Sequence, residues 1–512
     1  MEPKPNAPSF PPEFWGILAV AGALRFLRLG TQCFWVDEIA SLLAGKTPLR
    51  YMAGWYRIDP HPPLFYTAMK VWLVFGESEW ALRSFSALAG VGMVAAAWWL
   101  GRIVTDARTA AWGAALLAVN PLAVWVSQEL RGMALLGLLA TLSLAFLVRA
   151  VRDASPRARA GFVLVTVAMC YTHYFALFAL AFEIGWAAWA TRRDAARFRR
   201  TAVLFLAVGL ACLPWLPFFR AQFFGHGQAF RAHRGVLRIL ELLTFYFTTS
   251  HSPWKVESSF PFLTALQARG SLRFDVLASL LLLPFAGAFA WGFFAACRKD
   301  GGGSRILAAS VAVQTALVLL ASRRVDVFEP KYLVALLPAT CLLTAEGLSR
   351  IGRRSRALAG GLAAWMFVLT SLALYHHYAD ADYRKPDWRS FASYAAREGS
   401  SQDAVLIYFE PTISDFLYYY RRAGAPPPVV PILDYQAAGA PRVRDAAQVE
   451  RALAQLGPRR SVWFFEGMEP LHDPGRIAQA TLERNWERTA SFPVQAWRGL
   501  AFVRYAPRGE AR

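Results

Sequence analysis

The sequence predicts a multi-span α-helical membrane protein that ends in an α/β domain. The 512-residue chain is 56% hydrophobic and 14% aromatic but keeps 18% charged residues, which suits a membrane part joined to a polar part. Apolar segments of span length recur up to about residue 375 and then stop. Residues 379–512 instead alternate helical stretches with short β-type runs.

The membrane part divides into spans by length. A span needs about 20 mostly apolar residues, so the sequence predicts about eleven. They fall at 13–30, 83–101, 108–126, 132–150, 159–172, 174–191, 201–219, 272–296, 305–321, 332–349 and 356–375. The apolar run Leu64–Phe75 is too short for a span, so we interpret it as a juxtamembrane or partly re-entrant helix on the outer face.

Orientation follows from the basic residues of the short loops. Lysine and arginine concentrate in alternate loops, for example at Arg149–Arg159, Arg192–Arg200 and Arg350–Arg356. The positive-inside rule therefore predicts a cytoplasmic N-terminus and an outer C-terminus. The same rule explains the net charge of +20, because the basic residues concentrate in the cytoplasmic loops. Nucleic acid is therefore not an expected partner.

This orientation defines the predicted domains. Residues 1–378 form the membrane domain, with outer loops at 31–82 and 220–271, and residues 379–512 form an outer α/β domain. The predicted helices of that domain are Asp387–Arg397, Ile413–Arg422, Ala446–Leu456 and Gly475–Arg488. Its predicted strands are Ala404–Phe409, Pro428–Leu433, Ser461–Phe465 and Leu500–Tyr505.

An adjacent pair of acids, Asp37 and Glu38, follows the first span. Acids are costly beside lipid and mark functional sites there. A carboxylate could act as the base that deprotonates an attacking hydroxyl, and its neighbour could hold substrate, bind a metal or tune the first. The alternative is a pair of acids at the start of a helix, where negative charge is favourable.

Further polar groups fall at the predicted outer face. They are His61 before Pro62 and Pro63, Arg83, Glu129, Arg131, His173 in Tyr171–Tyr174, and Lys331 beside Tyr332. Fixed cations are expected stabilisers of a departing lipid phosphate, with His61 donating to it and Glu129 contacting sugar. The alternatives are a rigid turn at His61, mutual pairing of Glu129 with Arg131, an aromatic belt around His173 and interfacial snorkelling of the cations.

Five short motifs occur together in a characteristic order. They are Trp35–Glu38, His61–Tyr66, Ala81–Leu88, Gln128–Gly132 and Lys331–Leu333 with Leu337–Pro338. In this order they resemble the bacterial branch of the protein O-mannosyltransferase and aminoarabinose transferase superfamily, glycosyltransferase family 39 and its relatives. The resemblance covers about residues 1–375 and implies the C-type membrane glycosyltransferase (GT-C) fold.

The resemblance also implies chemistry. It implies a polyprenyl-phosphate sugar donor, an acceptor on the outer side and inversion at the anomeric carbon. Asp37 would be the general base and Glu38 would support the acceptor or donor. His61 stands where some members have lysine, Glu129 where some have aspartate, and Lys331 where many have arginine. The C-terminal domain lacks the sugar-binding repeat of the mannosyltransferases, so protein acceptors are less expected than envelope lipids or glycans.

The preferred hypothesis is therefore a glycosyltransferase of the bacterial inner membrane. No cofactor is required, a divalent metal is optional, and the absence of H-x-H or C-x-x-C spacing argues against a preformed zinc site. A polyprenyl-lipid transporter or flippase is the alternative. It predicts ionisable groups near mid-bilayer, and the spans are poor in such groups apart from Glu183 and Glu346. A third interpretation is a non-catalytic envelope assembly protein whose outer domain is a binding module.

Overall fold

The computed structural model describes residues 11–58, 61–153, 155–225, 236–249, 280–298, 302–323, 329–380, 384–399, 402–408, 414–423, 428–433, 442–456, 461–466, 473–493 and 501–508. The chain divides into two units. Unit 1 comprises Met1–Leu29 and Ala44–Ala379, and unit 2 comprises Gly30–Leu43 and Asp380–Arg512. The sequence prediction leaves residues 30–43 in the membrane domain, whereas here they group with the C-terminal residues.

Helices dominate the chain up to residue 379. They are α1 Pro12–Phe26, α2 Val36–Lys46, α3 Leu49–Ile58, α4 Leu64–Trp72, α5 Glu79–Val104, α6 Ala107–Val119, α7 Pro121–Ser127, α8 Met133–Arg152, α9 Pro156–Cys170, α10 Ala176–Thr191, α11 Ala195–Cys212, α12 Leu216–Gly225, α13 Val236–Thr249, α14 Leu283–Cys297, α15 Arg305–Ser322, α16 Leu337–Arg354 and α17 Arg356–Ala379. Every predicted span contains at least part of such a helix.

Only some of these helices are both long enough and apolar enough to span a membrane. Among the described residues, 6 helices are long and apolar enough to cross, or 7 if the bent pair α6 and α7 counts as one. The helical membrane architecture is thus confirmed, while the number and orientation of the spans stay predictions. Part of the predicted outer loop 220–271 forms helix α13. His226, His233 and His251, which also fall in that loop, lie outside the described residues.

The predicted span 108–126 forms two helices separated by a break. Helices α6 and α7 meet at an angle of 58°. The break falls at Asn120 because the next residue, Pro121, disfavours helical geometry in the residue before it. The Asn120 side chain then caps α7 by accepting from the Ala123 amide at 3.0 Å, and its Nδ2 donates to the Phe247 carbonyl oxygen at 2.7 Å.

Polar side chains close the end of α1. Arg25 is fully buried and donates from Nη1 to the carbonyl oxygens of Ala21 and Ala118 at 3.1 and 2.9 Å. Gln128, which follows α7, donates from Nε2 to the last carbonyl groups of α1, those of Leu24, Arg25 and Leu27. These contacts satisfy carbonyl groups that the end of a helix leaves unpaired.

The two acids predicted within spans have polar neighbours. Glu183 accepts from Ser143 Oγ at 2.9 Å, and Ser143 in turn lies 2.8 Å from Thr166 Oγ1. Glu346 accepts from Arg350 Nε at 2.6 Å within α16. Pairing of this kind offsets the cost of placing a carboxylate within a membrane span.

Unit 2 is built on a mixed sheet. Its further elements are α18 Trp388–Glu398, β1 Asp403–Ile407, α19 Ser414–Tyr420, β2 Val429–Pro431, α20 Ala446–Leu456, β3 Ser461–Glu466, α21 Ile477–Asn485, β4 Trp486–Pro493 and β5 Ala501–Pro507. The strand order is β2-β1-β3-β5-β4, parallel among the first three and antiparallel for the β3–β5 and β5–β4 pairs. The predicted α/β class is confirmed.

The sheet has an aromatic core. Phe391 of α18 contacts Phe502 of β5 with ring centroids 3.9 Å apart, and Phe465 of β3 lies 4.3 Å from Phe502.

The predicted helix Gly475–Arg488 is too long, because α21 ends at Asn485 and β4 begins at Trp486. Pairing with β5 supplies β4 with hydrogen bonds that the local sequence does not reveal.

We expect Gly347→Ala to destabilise the protein by about 1–3 kcal/mol, the usual cost of overpacking. A Cβ at Gly347 would lie 1.9 Å from the Ala288 carbonyl oxygen, because α14 and α16 touch there. Thermal unfolding of the purified full-length protein measures the effect. Gly360→Ala in α17 is the matched control, since a Cβ there meets nothing within 4 Å. Equal changes in Tm for both variants would contradict the predicted close contact.

We expect unit 2 to lose stability as pH rises from about 4 to about 6 because of Asp415. Burial raises the pKa of Asp415 to about 6, against a smaller opposing effect of the hydrogen bond from Trp388 Nε1. The folded unit then retains a proton that the unfolded chain releases, which costs about 3 kcal/mol above this window.

Hydrogen exchange over residues 388–420, corrected for the intrinsic pH effect, measures this loss. Asp415→Asn should remove its own share of the pH dependence while keeping a side-chain oxygen for Trp388. An identical pH dependence in the variant and the native protein would show that Asp415 does not contribute.

Candidate functional site

The paired acids occupy different environments at the start of α2. Glu38 is fully buried and its Oε2 accepts from Lys385 Nζ at 2.7 Å. The same oxygen accepts from the Trp35 amide at 3.3 Å, which is the reciprocal arm of a helix-capping arrangement. Lys385 Nζ also lies 5.8 Å from the centre of the Trp35 ring. Glu38 is therefore held by a cation and an amide at the start of the helix.

Asp37 precedes Glu38 and is only half-buried. Successive side chains of an α-helix are turned by about 100°, so the two carboxylates face different directions. The Asp37 backbone carbonyl accepts from Ser41 Oγ at 3.1 Å, which ties the first turn of α2 together. The geometry thus favours Asp37 for contact with a reactant and Glu38 for support, while both roles stay predictions.

In unit 1, four of the predicted site residues come together. Arg131 Nη2 donates to His61 Nε2 at 3.0 Å. The His61 ring lies 5.6 Å from that of His173, which lies 4.9 Å from that of Tyr332. These residues are far apart in sequence, yet they form one polar and aromatic group, which we call the histidine cluster.

The contacts of the histidine cluster specify which ring nitrogens carry protons. Guanidinium groups only donate, so His61 Nε2 is an acceptor. The Phe175 amide donates to His173 Nδ1 at 3.2 Å, so the neutral His173 ring carries its proton on Nε2. His173 is buried, whereas His61, Arg131 and Tyr332 are half-buried. The cluster can therefore offer N–H donors to an anion.

Glu129 and Lys331 both lie against Trp125, a residue that the sequence did not single out. Trp125 Nε1 donates to Glu129 Oε1 at 3.0 Å, and Lys331 Nζ lies 5.7 Å from the centre of the Trp125 ring. Trp125 is the fifth residue of α7, after the break at Asn120. A lone tryptophan in an apolar run gives no signal of such a role.

The Arg83 side chain binds the backbone of the segment that follows α1. It is 2% exposed in α5 and donates from Nη1 to the Leu29 carbonyl oxygen at 3.0 Å. This bond holds the chain just beyond α1. The predicted role of Arg83 at a substrate phosphate stays a prediction.

A metal site is not evident in this part of the molecule. The described residues contain no group of three or more histidine, cysteine, aspartate or glutamate side chains that could hold a metal ion. No step below depends on a divalent metal, which stays optional.

Comparison with known proteins identifies the fold. Residues 60–218 match the family model of dolichyl-phosphate-mannose-protein mannosyltransferases. The crystal structure of ArnT from Cupriavidus metallidurans in the apo state is 15% identical, with a TM-score of 0.56, and the match covers 96% of this chain and 97% of that chain. The chain has the GT-C fold. The resemblance inferred from the five motifs is thereby confirmed.

Other GT-C structures agree. ArnT from the same organism bound to undecaprenyl phosphate gives a TM-score of 0.56 at 15% identity, covering 96% of this chain and 98% of that one. The Archaeoglobus fulgidus oligosaccharyltransferase in complex with Zn and sulfate gives 0.55 at 12% identity, covering 94% and 73%. No curated protein sequence matches the chain. The segment matched by the family model contains His61, Arg83, Glu129, Arg131 and His173.

In this GT-C protein, we expect Lys385→Met to destabilise unit 2 by about 3–5 kcal/mol, because it leaves the Glu38 carboxylate buried without its cation. The double variant Glu38→Gln with Lys385→Met should recover most of that loss. Thermal unfolding and hydrogen exchange over residues 36–43 give the two measurements. A double variant no more stable than Lys385→Met alone would show that the loss does not come from leaving Glu38 without the cation of its 2.7 Å ion pair.

Proposed function

We propose that this protein is an integral membrane glycosyltransferase that moves a sugar from a polyprenyl-phosphate donor to an acceptor hydroxyl of an envelope lipid, glycan or, less favoured, protein. The histidine cluster carries the proposal, because it gathers an arginine and two histidines that can face a lipid phosphate. We place the reaction on the outer face of a bacterial inner membrane, following the predicted topology.

The donor phosphate would be held by the cations of unit 1. As the bond from sugar to phosphate breaks, negative charge grows on the phosphate oxygens, and fixed cations stabilise it. Arg131 is positioned by His61 at 3.0 Å, and Lys331 is positioned over Trp125. His173 Nε2–H is a further donor. Under this proposal these groups supply positive charge at the phosphate, and a divalent metal is optional.

The lipid tail would need an apolar space near these cations. Unit 1 contains a cavity of about 290 Å³ lined by residues of α6, α13, α14, α15, α16 and α17. Asn120 and Phe247 line it, and the neighbouring Tyr246 lies 6.3 Å from Trp125. Helix α13 therefore lines the cavity and also contacts Trp125 of the Glu129–Trp125–Lys331 group. An ArnT structure with bound undecaprenyl phosphate supports a ligand of this class.

The reaction would use Asp37 as its base. The Asp37 carboxylate takes the proton from the acceptor hydroxyl as the hydroxyl oxygen attacks the anomeric carbon. The bond between that carbon and the phosphate oxygen breaks, and polyprenyl phosphate leaves with the electron pair. Attack from the face opposite the leaving group inverts the anomeric carbon. Glu38, paired with Lys385, would hold the first turn of α2 in place.

We expect Asp37→Asn to lower turnover by about 10²–10⁴, the usual contribution of a general base, while donor binding is retained. The assay incubates the full-length protein with undecaprenyl- and dolichyl-phosphate sugars and an envelope lipid or glycan extract, and it measures transferred sugar and released polyprenyl phosphate. Asp153→Asn, an exposed acid paired with Arg149 outside the site, is the control.

Turnover of Asp37→Asn near that of the control would reject Asp37 as the base. Movement of the lipid across vesicle membranes without any sugar transfer by the native protein would instead support the alternative of a flippase.

A further inference from the structure

Unit 1 also contains a pocket lined by arginines, and none of the residues lining it belongs to the histidine cluster. It has a volume of about 790 Å³ and includes Arg298, Arg350, Arg353 and Arg354 in its wall. Arg298 follows the last residue of α14, and the other three lie in the last turns of α16. Two helices some fifty residues apart in sequence therefore end at one place, which we call the arginine pocket.

The arginine pocket has an excess of positive charge. Arg350 is paired with Glu346 at 2.6 Å, which neutralises one guanidinium group. The residues described as lining the pocket include three more arginines and no carboxylate. Cations that converge in a concave site attract an anion, because their potentials add there.

The rest of the wall is apolar. Trp291 and Phe294 of α14 line the pocket and are 44% and 66% exposed, and Gly287 and Ala290 continue the same wall. The Arg354 guanidinium carbon lies 5.1 Å from the centre of the Trp291 ring. A wall of this kind suits an anion attached to hydrocarbon better than a free anion.

The packing of α14 on α16 explains why the pocket opens there. At Gly292 a Cβ would lie 1.9 Å from the Leu343 carbonyl oxygen, so the two backbones touch at this position. The large side chains Trp291 and Phe294 cannot enter so close a contact and are turned outward. The topology predicted from the sequence places this end of both helices at the cytoplasmic face.

We propose that the arginine pocket binds the phosphate headgroup of an anionic phospholipid, with the acyl chains along the apolar wall of α14. Basic pockets between membrane helices on this side suit such headgroups. Simple snorkelling of single arginines does not account for four that converge from two helices. Arg192, whose guanidinium carbon lies 4.5 Å from the centre of the Trp189 ring at the end of α10, is an arginine of the snorkelling kind.

The test measures phospholipid binding to the purified full-length protein by native mass spectrometry. We expect phosphatidylglycerol to bind more tightly than phosphatidylcholine, and excess inorganic phosphate not to displace it. Arg353→Gln with Arg354→Gln should weaken phosphatidylglycerol binding roughly thirty-fold, as expected for two charges near a membrane surface. The matched control, Arg192→Gln with Arg193→Gln, removes the same charge from another helix end and should change binding less than about twofold.

Three outcomes would overturn the proposal. They are equal binding of the two lipids, equal weakening in the pocket and control variants, and displacement of the lipid by inorganic phosphate. If the double variant fails to fold, Arg298→Gln tests the pocket from α14, and unchanged phosphatidylglycerol binding in that variant would also reject it. The assay needs no sugar donor, so its result is independent of the proposed transferase activity.

Discussion

The structure of unit 1 depends on one constraint: hydrocarbon supplies no hydrogen-bond partners, so the protein must supply them all. Arg25 illustrates it, since its guanidinium group is fully buried and bonds to backbone carbonyls of α1 and α6. Gln128 does the same for the free carbonyls at the end of α1. Ends and breaks of helices are therefore favourable places for polar side chains, because backbone and side-chain groups can satisfy each other there.

The same constraint explains where the candidate site lies. The break at Asn120 starts the short helix α7, and the chain leaves α7 directly into Gln128, Glu129 and Arg131. His173 lies in the turn between α9 and α10, and Lys331 and Tyr332 lie in the 3-10 helix Pro330–Leu336 that precedes α16. A donor with a charged head and a long apolar tail needs polar groups at such a depth, next to apolar walls.

The sequence predicted much of this because topology restricts the possibilities. Once the spans were oriented, His61, Arg131, His173 and Tyr332 had to lie at one face, and the structure brings them into contact. The break at Asn120, the roles of Trp125 and Lys385, and strand β4 were missed. Each depends on partners distant in sequence, such as Glu38 for Lys385 and β5 for β4, which local patterns do not specify.

The grouping of residues 30–43 with unit 2 has a consequence for the proposed chemistry. The proposed base, Asp37, belongs to the same unit as the C-terminal sheet, and the Glu38–Lys385 pair joins the two within that unit. The proposed donor cations Arg131 and Lys331 belong to unit 1. Since Lys385 lies just before α18, the ion pair ties the segment that carries the proposed base to the chain that leads into the C-terminal sheet.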